Sequence, residues 1–155
     1  MIEGLLQQEL RATLVIVAGR NRSLLSELTD LESSSTLELR KLGFIDYVDD
    51  LVVASDIVIT KAGGLTVSEV LARGRPMIII DPIPGQEESN ADYLAGVGAA
   101  ISIRLPQHVP FAVMQLLSDE QRLKAMSESA SRAARPRAAL DIVEMILSDV
   151  GERLI

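Results

Sequence analysis

The residues best placed to do chemistry in this chain of 155 are Thr60-Lys61-Ala62-Gly63-Gly64-Leu65-Thr66-Val67-Ser68-Glu69. Ahead of them, Asp56-Ile57-Val58-Ile59 turns apolar and β-branched after its first residue and reads as a buried strand. Beyond them Val67, Val70 and Leu71 recur at helical spacing, so the two glycines fall in a strand-to-helix turn. Glycine there permits positive φ and presents no Cβ to keep another molecule away from the backbone. The amides of Gly64, Leu65 and Thr66 would open a helix that holds no acceptors for them. With the helix dipole, such amides favour an anion, typically a phosphate. A second arrangement fits the same residues. Thr66-Val67-Ser68-Glu69 is a capping box, in which the Thr66 hydroxyl and the Glu69 carboxylate satisfy the helix start unaided.

Composition narrows the partner. The length suits about one domain, and 48% apolar residues suffice for a core that, with 3% aromatics, Leu, Ile, Val and Ala must fill. A formal net charge of -7 argues against nucleic acid, which calls for a basic face. It leaves a nucleotide open, because main-chain amides hold phosphates without a Lys/Arg cluster. The absence of cysteine excludes disulfides and thiolate metal sites and fits a reducing compartment. The start of the chain carries Glu3 and no basic segment followed by an apolar core, and no apolar run approaches the roughly 20 residues of a membrane span. The expectation is a cytoplasmic chain.

These residues need elements to position them. Ile2, Leu5, Leu6 and Leu10 share one face of a helix over residues 2 to 10. Thr13-Leu14-Val15-Ile16-Val17-Ala18 reads as a strand buried on both faces. It ends at the turn Gly19-Arg20-Asn21, where Arg20 either reaches a ligand or, the commoner outcome, is solvated. Residues 23 to 31 form a short helix. Residues 36 to 44 form an edge strand interrupted by Glu38, Arg40 and Lys41. A helix up to residue 54 follows, and Asp46, Asp49 and Asp50 suit its N-terminus better than a metal.

The strand 56 to 60 and the helix 66 to 73 come next, the helix ended by Gly74 and blocked by Pro76. A buried strand at 77 to 80 runs into the rigid loop Asp81-Pro82-Ile83-Pro84-Gly85, followed by a helix from 86 to 94 and a last strand at 99 to 103. The rest is helical: 111 to 117, then 119 to 134 with Ser118 and Gln121 as a capping box. Pro136 suits the first turn of a final helix carrying Ile142, Val143, Ile146 and Leu147 inward. His108, between Pro106 and Pro110, belongs to a surface loop. Apolar strands alternating with helices imply an α/β, doubly wound, Rossmann-like parallel sheet of about five strands. Ligands of such sheets collect at the strands' carboxyl ends, where Gly19, Phe44, Gly63 and Pro84 all lie.

Gly43-Phe44-Ile45-Asp46, then Ala54-Ser55-Asp56 through to Ser68-Glu69, then Gly74-Arg75-Pro76, then Pro84-Gly85-Gln86-Glu87-Glu88-Ser89-Asn90-Ala91 occur in an order that resembles family 28 glycosyltransferases. The resemblance is to the C-terminal, donor-binding half of their two-domain GT-B fold, and it covers nearly the whole chain, Arg135-Pro136 included. Lys61-Ala62-Gly63-Gly64 and Pro84-Gly85-Gln86-Glu87 are most similar to the diacylglycerol branch, the monogalactosyldiacylglycerol synthases and processive bacterial glucosyl relatives. The resemblance implies that Phe44 caps a uracil ring while the Ile45 backbone bonds the ring's edge. It implies that Gly63, Gly64, Leu65 and Thr66 hold the diphosphate and that Glu69 accepts the ribose hydroxyls. Gln86, Glu87 and Asn90 would bind the donor sugar, Gln86 and Asn90 lying four apart on one helical face. Read without the resemblance, Phe44 is an ordinary core aromatic and residues 86 to 90 are a solvated helix face.

The resemblance further implies a UDP-sugar as donor substrate, no cofactor and no metal. The implied reaction transfers a hexose to a lipid such as diacylglycerol, and no carboxylate here is singled out as the catalytic base. It implies two things beyond the chain: a central strand with a Gly-rich turn ahead of the first helix, and an N-terminal acceptor-binding half, peripheral at the membrane. Residues 1 to 155 are then an N-terminally truncated donor domain. Its sheet either closes the gap, with residues 13 to 18 pairing onto 56 to 60, or leaves it open. An exposed apolar flank would mark where the other half docks. Alone, the chain should bind UDP weakly and transfer nothing. Two further readings stand beside this one: a separate donor-binding subunit of a split glycosyltransferase, and a non-catalytic nucleotide-sugar module.

Overall fold

The computed structural model describes residues 1–153. In chain order the elements are α1 (Ile2–Leu6), β1 (Ala12–Val17), α2 (Arg22–Thr29), β2 (Leu37–Leu42), α3 (Val48–Ala54), β3 (Val58–Thr60) and α4 (Gly64–Ala72). They continue with β4 (Met77–Ile80), α5 (Gln86–Gly96), β5 (Ala100–Ile103), α6 (Val109–Leu117), α7 (Glu120–Ala133) and α8 (Ala138–Arg153), a 3-10 turn at Pro106–His108 leading into α6. His108 is exposed, as expected.

Every strand pairing is parallel, yet the strands form two sheets, β1-β2 and β3-β4-β5. Alternation along the strands supplies two apolar layers. On one face Leu14, Leu39, Ile57, Ile59, Ile78 and Ile101 meet Leu5 of α1 and Val109, Val113 and Leu116 of α6. On the other, Met77 and Ile79 meet Val67, Val70 and Leu71 of α4 and Ala91 and Leu94 of α5. Both sheets therefore rest on the α1/α6 layer. The centre is β4, where Met77, Ile78 and Ile79 are each 0% exposed.

β1 and β3 are not paired with each other. Each of those strands has one edge without a neighbour, and each is only half-buried where the sequence reads as buried. Val17, the last residue of β1, is 41% exposed. Water reaches the side chains along an unpaired edge, which an apolar run cannot by itself reveal. The crossover from β2 to β3 runs through α3, whose Val52 joins the α4/α5 layer.

Three local expectations are corrected. α1 stops at Leu6, and Leu10 is buried in the connection to β1 rather than on the helix. Ser118 is the C-cap of α6; its hydroxyl donates to the Gln115 carbonyl at 3.0 Å, and Asp119 is the N-cap of α7. The Asp119 carboxylate accepts the Arg122 N–H at 2.9 Å. Asp119→Ala should cost about 1 kcal/mol, a fall of about 3 °C in thermal unfolding for a chain of this size, while Ser118→Ala should leave the midpoint in place.

The third correction concerns α8. Residues 138 to 149 are all exposed, Ile142, Val143, Ile146 and Leu147 by 51% to 66%, so no side of this stretch is covered. Pro136 stands in the turn ahead of that helix, not inside it. Arg137 makes ion pairs to Asp141 (3.9 Å) and Glu144 (3.7 Å) on α8 itself. Helical periodicity says which residues share a face, not what covers it.

Candidate functional site

At the carboxyl end of β3 the chain turns through Lys61-Ala62-Gly63 into α4, with Gly63 as N-cap. The first hydrogen bond of this helix runs from the Val67 N–H to the Gly63 carbonyl at 3.0 Å. The amides of Gly64, Leu65 and Thr66 have no acceptor among the described residues, and no side chain caps α4. The capping box does not form, because the helix begins three residues earlier than the box requires and Thr66 stands at its third position. The Ser68 hydroxyl instead donates back to the Gly64 carbonyl at 2.7 Å.

Gly64, Leu65, Thr66 and Glu69 are all exposed, Leu65 by 83%. Gly63 has a φ of -67°, so this turn does not use glycine's left-handed freedom. A Cβ at either Gly63 or Gly64 would meet nothing within 4 Å. Glycine here leaves open space in front of three free donors, the geometry that admits an oxyanion.

At the end of β4 the loop does need special backbone. Asp81 has a φ of 42° and Gly85 a φ of 103°, and the latter is a conformation that only glycine adopts readily. Gly85 then starts α5. The Glu87 carboxylate accepts the Ile83 N–H at 3.1 Å, which folds the Pro-Gly loop against the helix start. The Asn90 side-chain N–H donates to the Ala62 carbonyl at 2.9 Å and ties α5 to the glycine turn. Its amide oxygen retains acceptor capacity. Gln86 is exposed, with no partner among the described residues.

At the end of β2, Phe44 is 63% exposed, which excludes the core-aromatic reading. The Ile45 backbone N–H and C=O pair with nothing in the described protein. Over the Phe44 ring, 4.8 Å from its centroid, lies the Arg20 guanidinium carbon. Arg20 is therefore stacked rather than merely solvated, and sequence reasoning undervalued it. The available signal was its position in a strand-end turn level with Phe44.

The expected site residues thus occupy three strand ends on one edge. Asn90 is joined directly to the 62–64 turn, whereas Phe44 and Ile45 follow β2 in the other sheet, which shares no strand pairing with β3. Two displaced titrations lie elsewhere. Glu38 is held below its ordinary value by the hydrogen bond from Arg40 and then by that from Thr13, and Arg104 is raised by Glu88.

Residues 2–142 match the sequence profile of the Glycosyltransferase family 28 C-terminal domain. The chain belongs to this family. Among its relatives is the processive diacylglycerol beta-glucosyltransferase of Bacillus pumilus (strain SAFR-032), 36% identical over 134 residues that make up 86% of this chain and 35% of that protein. The enzyme of the same description from Bacillus subtilis (strain 168) is 33% identical over 149 residues, 96% of this chain and 39% of that one. The chain therefore spans little more than a third of the curated relatives it matches.

Of solved structures, Acinetobacter baumannii MurG aligns with a TM-score of 0.80 at 25% identity, over 94% of this chain and 44% of that one. WaaG, a glycosyltransferase involved in lipopolysaccharide biosynthesis, aligns with a TM-score of 0.62 at 21% identity, over 86% and 37%. The family 28 domain thus has the Rossmann-like half of a GT-B fold, the doubly wound sheet as its strand pattern implied and the GT-B half as the resemblance implied. No helix among the described residues is long and apolar enough to cross a membrane.

Proposed function

We propose that this family 28 domain is the donor-binding half of a hexosyltransferase that moves a sugar from a UDP-sugar to a lipid acceptor such as diacylglycerol. One observation carries the reading: the three unpartnered amides of Gly64, Leu65 and Thr66, in open space at a strand end. In the proposed complex they receive the diphosphate together with the Thr66 hydroxyl, and Glu69, free of any capping duty, accepts the ribose hydroxyls. Phe44 stacks on uracil and the Ile45 backbone pairs with its edge. Gln86, the Asn90 amide oxygen and Glu87 face the donor sugar. An acceptor hydroxyl oxygen attacks the anomeric carbon as the bond to the β-phosphate oxygen breaks. The UDP oxygen keeps the bonding electrons, and the hydroxyl proton passes to a base supplied by the acceptor half. Donors aimed at the charge that develops on the departing diphosphate are this half's contribution to rate.

Residues 1 to 155 then work beside two things supplied from outside them: a strand between β1 and β3, and an acceptor-binding half, in the same chain or as a separate subunit. Chain handedness supports the first. The connections β3-α4-β4-α5-β5 advance one way with their helices on one face, and α1 lies on the other. A right-handed crossover through α1 must advance the opposite way, so a strand leading into it sits on the free side of β1, facing β3. The exposed apolar residues of α8 are the surface for the acceptor half. That half would bring the enzyme to the cytoplasmic membrane surface, where the lipid is. The net charge of -7 argues against nucleic acid as a partner.

The test is calorimetric titration of the purified chain with UDP, UDP-glucose, UDP-galactose and UDP-N-acetylglucosamine. Binding of UDP, with one sugar nucleotide preferred, is the expected result; no binding of any of the four at millimolar concentration overturns the reading. Gln86 is the clean probe of the sugar, since Glu87 and Asn90 also hold the loop and turn in place. Gln86→Ala should erase the preference for UDP-sugar over UDP, a change of about three-fold to ten-fold for one hydrogen bond, and should leave UDP itself unchanged.

A further inference from the structure

We infer that Arg20 is a positioning residue for the nucleobase: its guanidinium covers one face of the Phe44 ring and holds that ring so that the opposite face receives the base. The inference rests on the donor reading above. The backbone brings the two side chains together. Strands β1 and β2 run in register to Val17 opposite Leu42, and the Ala18 N–H continues the pairing to the Leu42 carbonyl at 2.8 Å. Gly19 then turns at a φ of 58°, and a Cβ on Gly43 would stand 3.8 Å from the Gly19 carbonyl oxygen, so the two turns lie against each other.

Arg20 makes no ion pair or hydrogen bond among the described residues; its guanidinium lies against the Phe44 ring. A phenyl group as exposed as this one would otherwise turn freely about its side-chain bonds and lose that freedom on binding. A planar guanidinium stacks on an aromatic face in a way that a compact ammonium does not. The spacing decides which face is left for a ligand. A base between cation and ring needs two contacts of about 3.5 Å each, and the guanidinium carbon lies only 4.8 Å from the centroid. The base therefore takes the other face, giving the order guanidinium, phenyl, base.

The experiment joins a ligand-free readout to a binding readout. With two Phe and two Tyr in the chain, the Phe44 ring signals are assigned in NMR spectra by their loss in Phe44→Leu. Arg20→Ala should shift and broaden those signals and leave the Phe111 ring in place. It should weaken UDP about two-fold to five-fold, the scale of an exposed cation–π contact. Inorganic pyrophosphate, which has no base, should bind Arg20→Ala as it binds the wild type, and Arg20→Lys should recover part of the UDP affinity. In a Phe44→Ala background the same change should have no further effect on UDP.

An equal loss for pyrophosphate and UDP would make Arg20 a phosphate ligand and overturn the inference. So would unaltered Phe44 signals, unaltered UDP affinity, or a full effect that persists without the ring. If the wild type binds pyrophosphate but no UDP, the donor reading itself falls and this inference falls with it. If the wild type binds UDP and only the Arg20 effects are missing, this inference alone falls.

Discussion

Joining an apolar strand of about eight residues to α1 through a glycine-containing turn ahead of Met1 should raise the unfolding midpoint by about 10 °C. Such a strand completes the hydrogen bonds of two unpaired parallel edges and covers side chains of β1 and β3 that are now half-buried. Each aliphatic side chain it fully buries contributes about 1.5–3 kcal/mol. Ordering its own backbone removes about 1–2 kcal/mol per residue, so a net gain on the order of 3 kcal/mol remains. At about 2–4 °C per kcal/mol for a chain of this size, the shift is readily measured by calorimetry. Hydrogen exchange at the amides of β1 and β3 on those edges should slow at the same time. The same extension with proline at alternate positions lacks the donors for one of the two edges, and the gain should shrink. UDP affinity should rise as well, because Phe44 and the glycine turn follow strands of the two separate sheets and the inserted strand fixes their separation. An unchanged midpoint together with unchanged exchange would mean that those edges are not a strand seat.

Glu69→Ala is expected to weaken UDP by about ten-fold to a hundred-fold, the value of one hydrogen bond to a charged group. The loss should be specific to the pentose. Pyrophosphate should bind the variant at least as well as the wild type, since a negative charge near the phosphates has gone. The 2′-deoxy nucleotide should lose less than UDP. Stability should hardly move, because Glu69 is exposed and caps nothing, and surface changes of that kind stay within about 0.5 kcal/mol. Titration of folded Glu69→Ala with UDP reads the result directly, and wild-type affinity would remove Glu69 from the ribose.

Much of this was legible before any coordinates. Met77-Ile78-Ile79-Ile80 has no polar position and sits between two strands under two helical layers, which is what a run of that kind requires. Gly74 and Pro76 marked the end of α4 for a local steric reason, and the Pro-Gly loop marked the start of α5 in the same way. What stayed hidden was non-local. The run from Thr13 to Ala18 reads as central because its side chains are apolar, but whether a strand lies beside it depends on polypeptide elsewhere. The inward face assigned to α8 failed likewise, since spacing defines a stripe and not its partner.

At the site, the strand-end positions of Phe44, Gly63 and Pro84 followed from topology. The lack of any protein cap on α4 did not, because a capping box and an anion cradle share the same residues. The stacking of Arg20 on Phe44 was obscured by base rates, as most turn arginines point into water.

The exposed stretch of α8 has a practical corollary. Leu140, Met145 and Leu147 join Ile142, Val143 and Ile146 in a hydrocarbon strip on a particle of net charge -7. In dilute buffer the charge keeps such particles apart, but sulfate screens it and tightens the cohesion of water around exposed carbon. The preparation should cling to phenyl resin at ammonium sulfate strengths where well-covered acidic proteins of this size flow through, and should come off as the salt is diluted.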